Sequence, residues 1–237
     1  MHHRYKVGVL NLSRRYESND VDEEGSSETM VTSQISEKAL LATGIRVGTM
    51  VQTKSMSQFI SRTRSDGLHV IDVSKTLAKI EVVGKFLARA NISQVVVYSS
   101  RDYGSTPVEK FCELTGAIPI KGRFMPGTFT NPLYSGHIDP EIVLVTDPSM
   151  DSQAIDEASK IGVSVVAICD TDNVTEDVDV VIPANNRGRK ALAAVFWLLA
   201  KSVLSHSGIL GPNDPLKYSI EDFETKMVEE PEEEDDN

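Results

Sequence analysis

The chain has few cysteines and lacks long apolar runs, so it does not resemble disulfide-rich or membrane-spanning proteins. It holds only two cysteines in 237 residues, Cys112 and Cys169, which cannot form a zinc site alone. Each lies in an apolar helix or strand pattern typical of a buried free thiol. No apolar run approaches the ~20 residues of a membrane span, and residues 1–15 contain no apolar core of a secretory signal. These absences predict a protein of the reducing cytoplasm without a membrane partner.

The usual signatures of enzymes are also missing. No glycine-rich nucleotide loop, G-x-G-x-x-G or G-x-x-x-x-G-K-[ST], follows any predicted strand. The five histidines are scattered without metal-ligand spacing, and no Ser-His-Asp set is recognisable. We therefore predict no catalytic residue, no metal, no cofactor and no small-molecule substrate.

The acidity of the chain belongs to its two ends. The net charge is −11, but residues 221–237 hold ten acids and one base, and residues 1–28 hold six acids and four bases. Residues 29–220 hold nineteen of each and are neutral, so the net charge does not exclude nucleic-acid binding. The terminal block of like charges predicts a disordered tail, which we interpret as a solvating end without a specific partner.

The stretch 139–200 defines the fold class. Residues 142–146, 163–168 and 178–182 are short β-branched apolar runs typical of strands buried on both faces. An apolar helical stripe between the first two runs ends at Gly162, where a C-terminal cap glycine belongs. Strand, helix and strand in this order imply a right-handed crossover and a parallel sheet.

The upstream sequence continues the alternation of strands and helices. Apolar runs predict further strands at 45–52, 68–73, 94–98 and 117–120. Periodic patterns predict helices at 33–43 and 54–64, a helix capped by Ser74, and a helix that begins with Thr106 and Pro107. The result is an α/β fold with three layers, α/β/α: a flavodoxin-like, mostly parallel sheet of about five strands.

The domain boundaries follow from the same patterns. We assign residues 33–207 to the α/β domain and residues 1–32 to a disordered or extended segment. Residues 208–237 form a C-terminal extension, in which a short docking segment near Tyr218 precedes the acidic disordered tail.

A D-x-D turn after the strand at 163–168 offers one enzymatic interpretation. Asp170 and Asp172 resemble the first motif of the haloacid dehalogenase phosphotransferases, which use two aspartates beside magnesium. The partner motifs do not follow in order, and aspartate and asparagine commonly form turns after strands. A turn is the preferred interpretation, and a magnesium-dependent phosphotransferase is the alternative.

Clusters of basic residues indicate phosphate contact. Three basic residues, Arg187, Arg189 and Lys190, lie at the predicted start of the last long helix. The helix macrodipole disfavours cations there unless an anion is bound. The loop GRFMPGTFTNP at 122–132 combines bases with aromatics on a glycine-proline framework, which suits RNA contact; the alternative is that Phe124 and Phe129 anchor the loop on the core. The selected RNA-binding residues are Lys121, Arg123, Arg187, Arg189 and Lys190, with a second tier of Arg46, Lys54, Arg62, Arg64 and Arg101.

Several motifs together resemble one family. GIRVGT, VVVYSSRDYGSTPVEKF, GRFMPGTFTNP and AICDTDN followed by VIPANN closely resemble the small-subunit ribosomal protein two family in its archaeal–eukaryotic branch, which includes eukaryotic ribosomal protein SA, the laminin-receptor precursor. Only seven residues separate Pro132 from Pro140, too few for the helical hairpin that bacterial relatives carry there. Arg46 stands where many relatives have histidine, which adds a cation.

The resemblance implies a role without catalysis. A member of this family is a structural constituent of the small ribosomal subunit in the cytoplasm, and it contacts rRNA and neighbouring ribosomal proteins during translation. The family carries the aspartate turn without being phosphatases.

The two interpretations of the D-x-D turn give opposite enzymatic results. Because the partner motifs are missing, we expect the purified protein with magnesium not to hydrolyse phosphomonoesters. A chromogenic phosphomonoester assay measures this, with Asp170→Asn as the control for contaminating phosphatase. Hydrolysis that Asp170→Asn abolishes would show a phosphotransferase.

Overall fold

The computed structural model describes residues 37–211 and 214–226. Its centre is a sheet of five parallel strands in the order β4-β3-β5-β6-β7. The strands in chain order are β1 Ile60–Thr63, β2 His69–Ile71, β3 Val95–Tyr98, β4 Ile118–Ile120, β5 Ile142–Val145, β6 Ser164–Cys169 and β7 Val180–Pro183. Counted along the sheet-forming part of the chain, this order is 2-1-3-4-5, which confirms the predicted flavodoxin-like arrangement.

Helices and a loop cover the two faces of the sheet. The helices are α1 Glu37–Ala42, α2 Val73–Arg89, α3 Asp102–Thr115, α4 Ser152–Ile161, α5 Arg189–His206 and α6 Ile220–Phe223. Side chains alternate along each strand, so Val95 and Val97 join the core under α2, α3 and α5. Val96 and Tyr98 join the opposite core with α4. The predicted three-layer α/β/α architecture is confirmed.

The first part of the domain departs from the prediction. Residues 45–52 form no strand but a single antiparallel bridge between Val47 and Val70. Residues 54–64 are not a helix: a 3-10 turn, Ser57–Phe59, leads into β1, which pairs antiparallel with β2. The apolar spacing of Met56 and Phe59 needs only one turn to bury both side chains in the α4-side core. The resulting hairpin lies outside the parallel sheet.

Two predicted helix starts were also wrong. The side chain of Asp72, not Ser74, caps α2 by accepting a hydrogen bond from the Ser74 amide at 3.1 Å. Helix α3 begins five residues before Pro107, which lies inside it. Proline cannot donate to the carbonyl four residues back; here that carbonyl, on Tyr103, accepts a hydrogen bond from the Thr225 hydroxyl at 3.0 Å. A distant segment therefore supplies the missing donor.

The C-terminal segment packs on the outer side of α5. This agrees with the short docking segment that the sequence predicts near Tyr218. Trp197 donates its indole N–H to the Tyr218 carbonyl at 2.9 Å. Phe223 is fully buried in the core with α5, and a capping box between Ser219 and Asp222 starts α6. The chain is thus fixed on the fold up to the end of the described residues.

Helices α2 and α5 approach so closely that one position admits only glycine. A Cβ atom at Gly84 would lie 2.0 Å from the Ser202 hydroxyl oxygen and 3.2 Å from the Ser202 carbonyl carbon. Both residues are buried, so neither helix is able to relax toward solvent.

We expect Gly84→Ala to lower the free energy of unfolding by about 1–3 kcal/mol through overpacking. This loss opposes the ~0.5–1 kcal/mol that alanine normally gains over glycine in a helix. Urea unfolding measures the change. Ala78→Gly, at an exposed position of the same helix, measures propensity alone. Stabilisation by Gly84→Ala would contradict the close contact.

Candidate nucleic-acid interface

The cations selected from the sequence gather mainly at one edge of the sheet. Because all five strands are parallel, their carboxyl ends share this edge. Lys121 and Arg123 follow edge strand β4, Arg101 follows β3, and Arg187 follows the opposite edge strand β7. A row of basic side chains therefore crosses the width of the sheet.

Asp151 holds the middle of this edge together. Its buried carboxylate accepts hydrogen bonds from the backbone amides of Ser100 at 2.9 Å, Thr146 at 3.1 Å and Asp147 at 3.0 Å. The Ser100 hydroxyl adds a bond at 2.6 Å. Burial raises the pKa of Asp151, and these hydrogen bonds partly counteract it. The carboxylate joins the ends of β3 and β5.

Asp147 links this centre to a selected cation. Its carboxylate accepts from Arg101, with the Nε contact at 2.9 Å, and from the side-chain amide of Asn173 at 2.8 Å. Asp147 is 1% exposed, so removing Arg101 would leave a buried carboxylate without its cation. Arg101 therefore has a structural partner, which limits its availability to RNA.

The D-x-D turn belongs to the same buried network. Asn173 accepts from the Asp170 amide at 2.7 Å and from the Asn186 side chain at 3.0 Å. Burial, with a smaller contribution from the nearby charge of Asp172, raises the pKa of Asp170 to about 6. Asp172 pairs with Arg187. These contacts confirm a turn, and no cluster of three metal-ligating side chains occurs in the described part of the chain.

The segment after α1 crosses the turn and brings further cations to it. The amides of Thr49 and Thr53 donate to the Thr171 hydroxyl and carbonyl, each at 2.9 Å. Farther along the edge, the Asn185 amide donates to the Ile45 carbonyl at 2.9 Å. Arg46 and Lys54, which follow Ile45 and Thr53 directly, are thereby placed beside the edge.

The cluster before α5 divides into a paired and an unpaired part. The expectation of three cations in the first helical turn was wrong, because Gly188 is the N-cap and Arg187 precedes it. Asn185 forms a turn there by accepting from the amides of Arg187 and Gly188 at 2.9 and 3.0 Å. Only Arg189 and Lys190 lie in the first turn, and neither forms an ion pair with another described residue.

The loop after β4 does not offer its aromatic rings to RNA. Phe124 and Phe129 are 5% and 2% exposed and pack against each other with ring centroids 5.0 Å apart. The alternative that they anchor the loop on the core is thus correct for both. Arg123 is exposed, and Lys121 forms an exposed ion pair with Glu109 at 2.9 Å.

A buried glutamate fixes this loop. Glu157, 2% exposed on α4, accepts from the amides of Gly127 at 2.7 Å and Phe129 at 3.0 Å. Gln153 adds a bond at 2.9 Å. Sequence reasoning missed Glu157, Asp147 and Asp151, because a buried acid on a helix or after a strand resembles an exposed one. The only signal was the pair of aspartates, Asp147 and Asp151, in the loop after β5.

Two second-tier cations lie away from the edge. Arg62 and Arg64 are exposed on or beside the β1–β2 hairpin, and Arg64 pairs with Asp66 at 3.3 Å.

Among the helices of residues 37–211 and 214–226, none is long and apolar enough to cross a membrane.

Comparisons with known proteins agree on one family. The profile described as ribosomal protein S2 matches residues 40–134 and 133–206. Small ribosomal subunit protein uS2 of Nitrosopumilus maritimus is 50% identical over 193 residues, covering 81% of this chain and 93% of that protein. Its namesake in Staphylothermus marinus is 48% identical over 187 residues, covering 79% of this chain and 85% of that protein. The Thermofilum pendens namesake is 48% identical over 188 residues, covering 79% and 88%.

The hydrogen bonds that Glu157 accepts from the loop after β4, here called the Glu157 clamp, should make the free energy of unfolding depend on pH. Burial alone would raise the pKa of Glu157, but the hydrogen bonds from Gly127, Gln153 and Phe129 hold it below its ordinary value of 4.5. A lowered pKa means stabilisation that is fully present above about pH 4.5 and is lost as pH falls through the folded-state value.

We expect Glu157→Gln to lower the free energy of unfolding at pH 7 by about 1.5–3 kcal/mol, because an amide cannot accept all these bonds. The difference from the unsubstituted protein should shrink at acidic pH. Urea unfolding between pH 7 and pH 3 measures both effects. Glu176→Gln, at an exposed position, is the matched control; an equal loss there would argue against the clamp.

Proposed function

The chain belongs to the ribosomal protein S2 family, and from this premise we propose that Arg189, Lys190 and Arg123 bind rRNA phosphates in the small ribosomal subunit. The protein is a structural, non-enzymatic constituent of that subunit in the cytoplasm. The observation that carries the assignment of residues is the division of the edge cations into Arg101 and Arg187, which are paired with the aspartates of the edge network, and those without an ion pair among the described residues.

Arg101 and Arg187 act mainly as positioning residues. Arg101 is held by the buried Asp147, and Arg187 pairs with the partly exposed Asp172. A guanidinium already engaged in this way presents fewer donors to a phosphate. Their role in RNA binding is to keep the turns of the edge in place, with any phosphate contact secondary.

Arg189 and Lys190 have the geometry for a direct phosphate contact. They lie in the first turn of an 18-residue helix, where unpaired backbone amides and the macrodipole favour an anion. No ion pair within the described residues competes for them. Lys121 is available as well, because an exposed pair such as Lys121–Glu109 contributes little and exchanges readily for phosphate.

The remaining second-tier cations extend this surface. Arg46 and Lys54 lie beside the turn after β6, whereas Arg62 and Arg64 widen the contact onto the hairpin. RNA is bound here chiefly through its backbone charge, since both loop phenylalanines are buried.

Neighbouring ribosomal proteins meet a different part of the loop after β4. Met125 and Leu133 are 50% and 95% exposed, although Glu157 fixes the loop that carries them. Large exposed apolar side chains on a rigid loop are typical of protein contacts. We assign this part of the loop to a protein neighbour.

We expect Arg189→Glu combined with Lys190→Glu to weaken association with small subunits strongly. Two attractions become repulsions, and the slope of log affinity against log salt should shrink by about two. Stability should change by less than about 1 kcal/mol per residue, because removing cations from a helix start is mildly favourable. Co-sedimentation at several salt concentrations and thermal unfolding of the free protein measure these effects.

The matched control combines Arg89→Glu with Lys160→Glu. These cations lie in the last turns of α2 and α4, away from the carboxyl edge, and the control makes the same change in net charge. Equal weakening by both double variants would indicate an effect of net charge. Normal association of the Arg189/Lys190 variant would transfer the phosphate contact to Lys121 and Arg123.

A further inference from the structure

A cationic cleft opens where the described chain ends. It has a volume of about 590 Å³ and lies between α1, the start of α5 and the segment around α6. Its charged lining residues are Arg189, Lys190, Lys226, Glu221 and Glu224. No ion pair joins these cations to the two carboxylates within the described residues. The cleft therefore presents unpaired cations to an open space.

The C-terminal chain leaves the fold at a fixed point of this cleft. Thr225 lines it, and its hydroxyl donates to the Tyr103 carbonyl at 3.0 Å, the group that Pro107 leaves without a helical donor. The Arg189 guanidinium lies 6.0 Å from the centroid of the ring of the same Tyr103. The chain beyond Lys226 consequently starts beside Arg189.

The segment that follows has the opposite charge and sufficient reach. Residues 229–236 contain seven acids and no base. Two residues separate Lys226 from Glu229, and the three chain steps between them span at most ~10 Å, so the first acids start within reach of the cleft. A short connection of this kind gives an effective concentration on the order of millimolar, at which weak electrostatic contacts are populated.

We propose that this cleft binds the acidic tail of its own chain, with carboxylates of residues 229–236 on Lys190 and Arg189. The tail then has a specific intramolecular site, in contrast to its interpretation as a solvating end. Because Arg189 and Lys190 are also the proposed rRNA contacts, the tail competes with RNA phosphate for them, a consequence that rests on the proposed function.

The other chain end is the less suitable occupant. The N-terminal segment also reaches this region, since α1 lines the cleft. Its residues 1–15 contain four bases and no acid, whereas residues 16–28 contain six acids and no base and lie nearer α1 in sequence. The tail is favoured because its acids are denser, seven within residues 229–236, and because only two residues connect the first of them to the cleft, whereas eight residues separate Glu28 from α1. Crosslinks from Lys190 to residues 17–28 would assign the cleft to the N-terminal segment and overturn the proposal.

Zero-length crosslinking tests docking without RNA. A carbodiimide joins a lysine amine to a carboxylate only when the two are in contact. In dilute full-length protein at low salt, we expect Lys190 to be joined to residues 229–236, and the link to disappear near 1 M salt, where the Debye length is ~3 Å. Lys160, exposed on α4 on the opposite face of the sheet, is the control. Equal linkage to Lys160, or linkage of Lys190 only to Glu221 or Glu224, would overturn docking.

A binding experiment tests the competition. The probe is a fluorescein-labelled oligouridylate, measured at fixed salt against the full chain and against a full-length variant in which glutamine or asparagine replaces the seven acids. Neutralising the tail should tighten binding about fivefold or more. The same neutralisation should have little effect in an Arg189→Gln, Lys190→Gln background.

The two measurements separate the possible failures. An equal gain in both backgrounds, without crosslinks, would show long-range repulsion and overturn docking. If the neutral-tail protein binds the probe equally well with and without Arg189 and Lys190, these residues are not RNA contacts and the proposed function fails there. The crosslinks at Lys190 then still decide whether the tail docks.

Discussion

The carboxyl edge of the sheet depends on buried acceptors that satisfy the ends of parallel strands. Where β3 and β5 end, backbone amides lose their ladder partners, and the single carboxylate of Asp151 accepts from three of them. In the turn after β6, the side-chain oxygen of Asn173 likewise accepts hydrogen bonds from the Asp170 amide and the Asn186 side chain. A buried donor without a partner costs about 1–3 kcal/mol, so these few side chains determine how all the edge loops are placed.

The same network explains how an acidic chain carries a basic surface. The buried Asp147 holds Arg101, and the partly exposed Asp172 pairs with Arg187, whereas Arg189, Lys190 and Arg123 remain unpaired among the described residues. Four acids, Asp147, Asp151, Glu157 and Asp170, are buried, and sixteen of the 35 acids lie at the chain ends, ten in residues 221–237 and six in residues 1–28. The field that an approaching RNA meets depends on this arrangement more than on the net charge.

Another buried acceptor, Glu157, fixes the loop after β4. Glu157 reaches from α4 into the loop, and Phe124 and Phe129 fill the core between them. In the described part of the chain, α4 is the only helix on this face of the sheet. The loop after β4 and the turn that carries Met56 cover the rest of the face. Anchoring costs the loop its aromatic contacts with RNA but rigidifies Met125 and Leu133, which suits them for a protein neighbour.

Sequence alone determined the features that depend on local pattern. Short apolar runs identified all five strands of the parallel sheet, Gly162 marked a helix end that is left-handed in the structure, and the motifs identified the family. Residues 54–64 were misassigned because the spacing of Met56 and Phe59 fits one turn as well as a helix. Tertiary structure alone decided which charges are free: an aspartate that pairs with an arginine 46 residues away, as Asp147 does with Arg101, has no local signature. Likewise, only the returning C-terminal segment shows why Pro107 is tolerated inside α3, since the donor that replaces its missing N–H comes from Thr225, 122 residues away from Tyr103 in sequence.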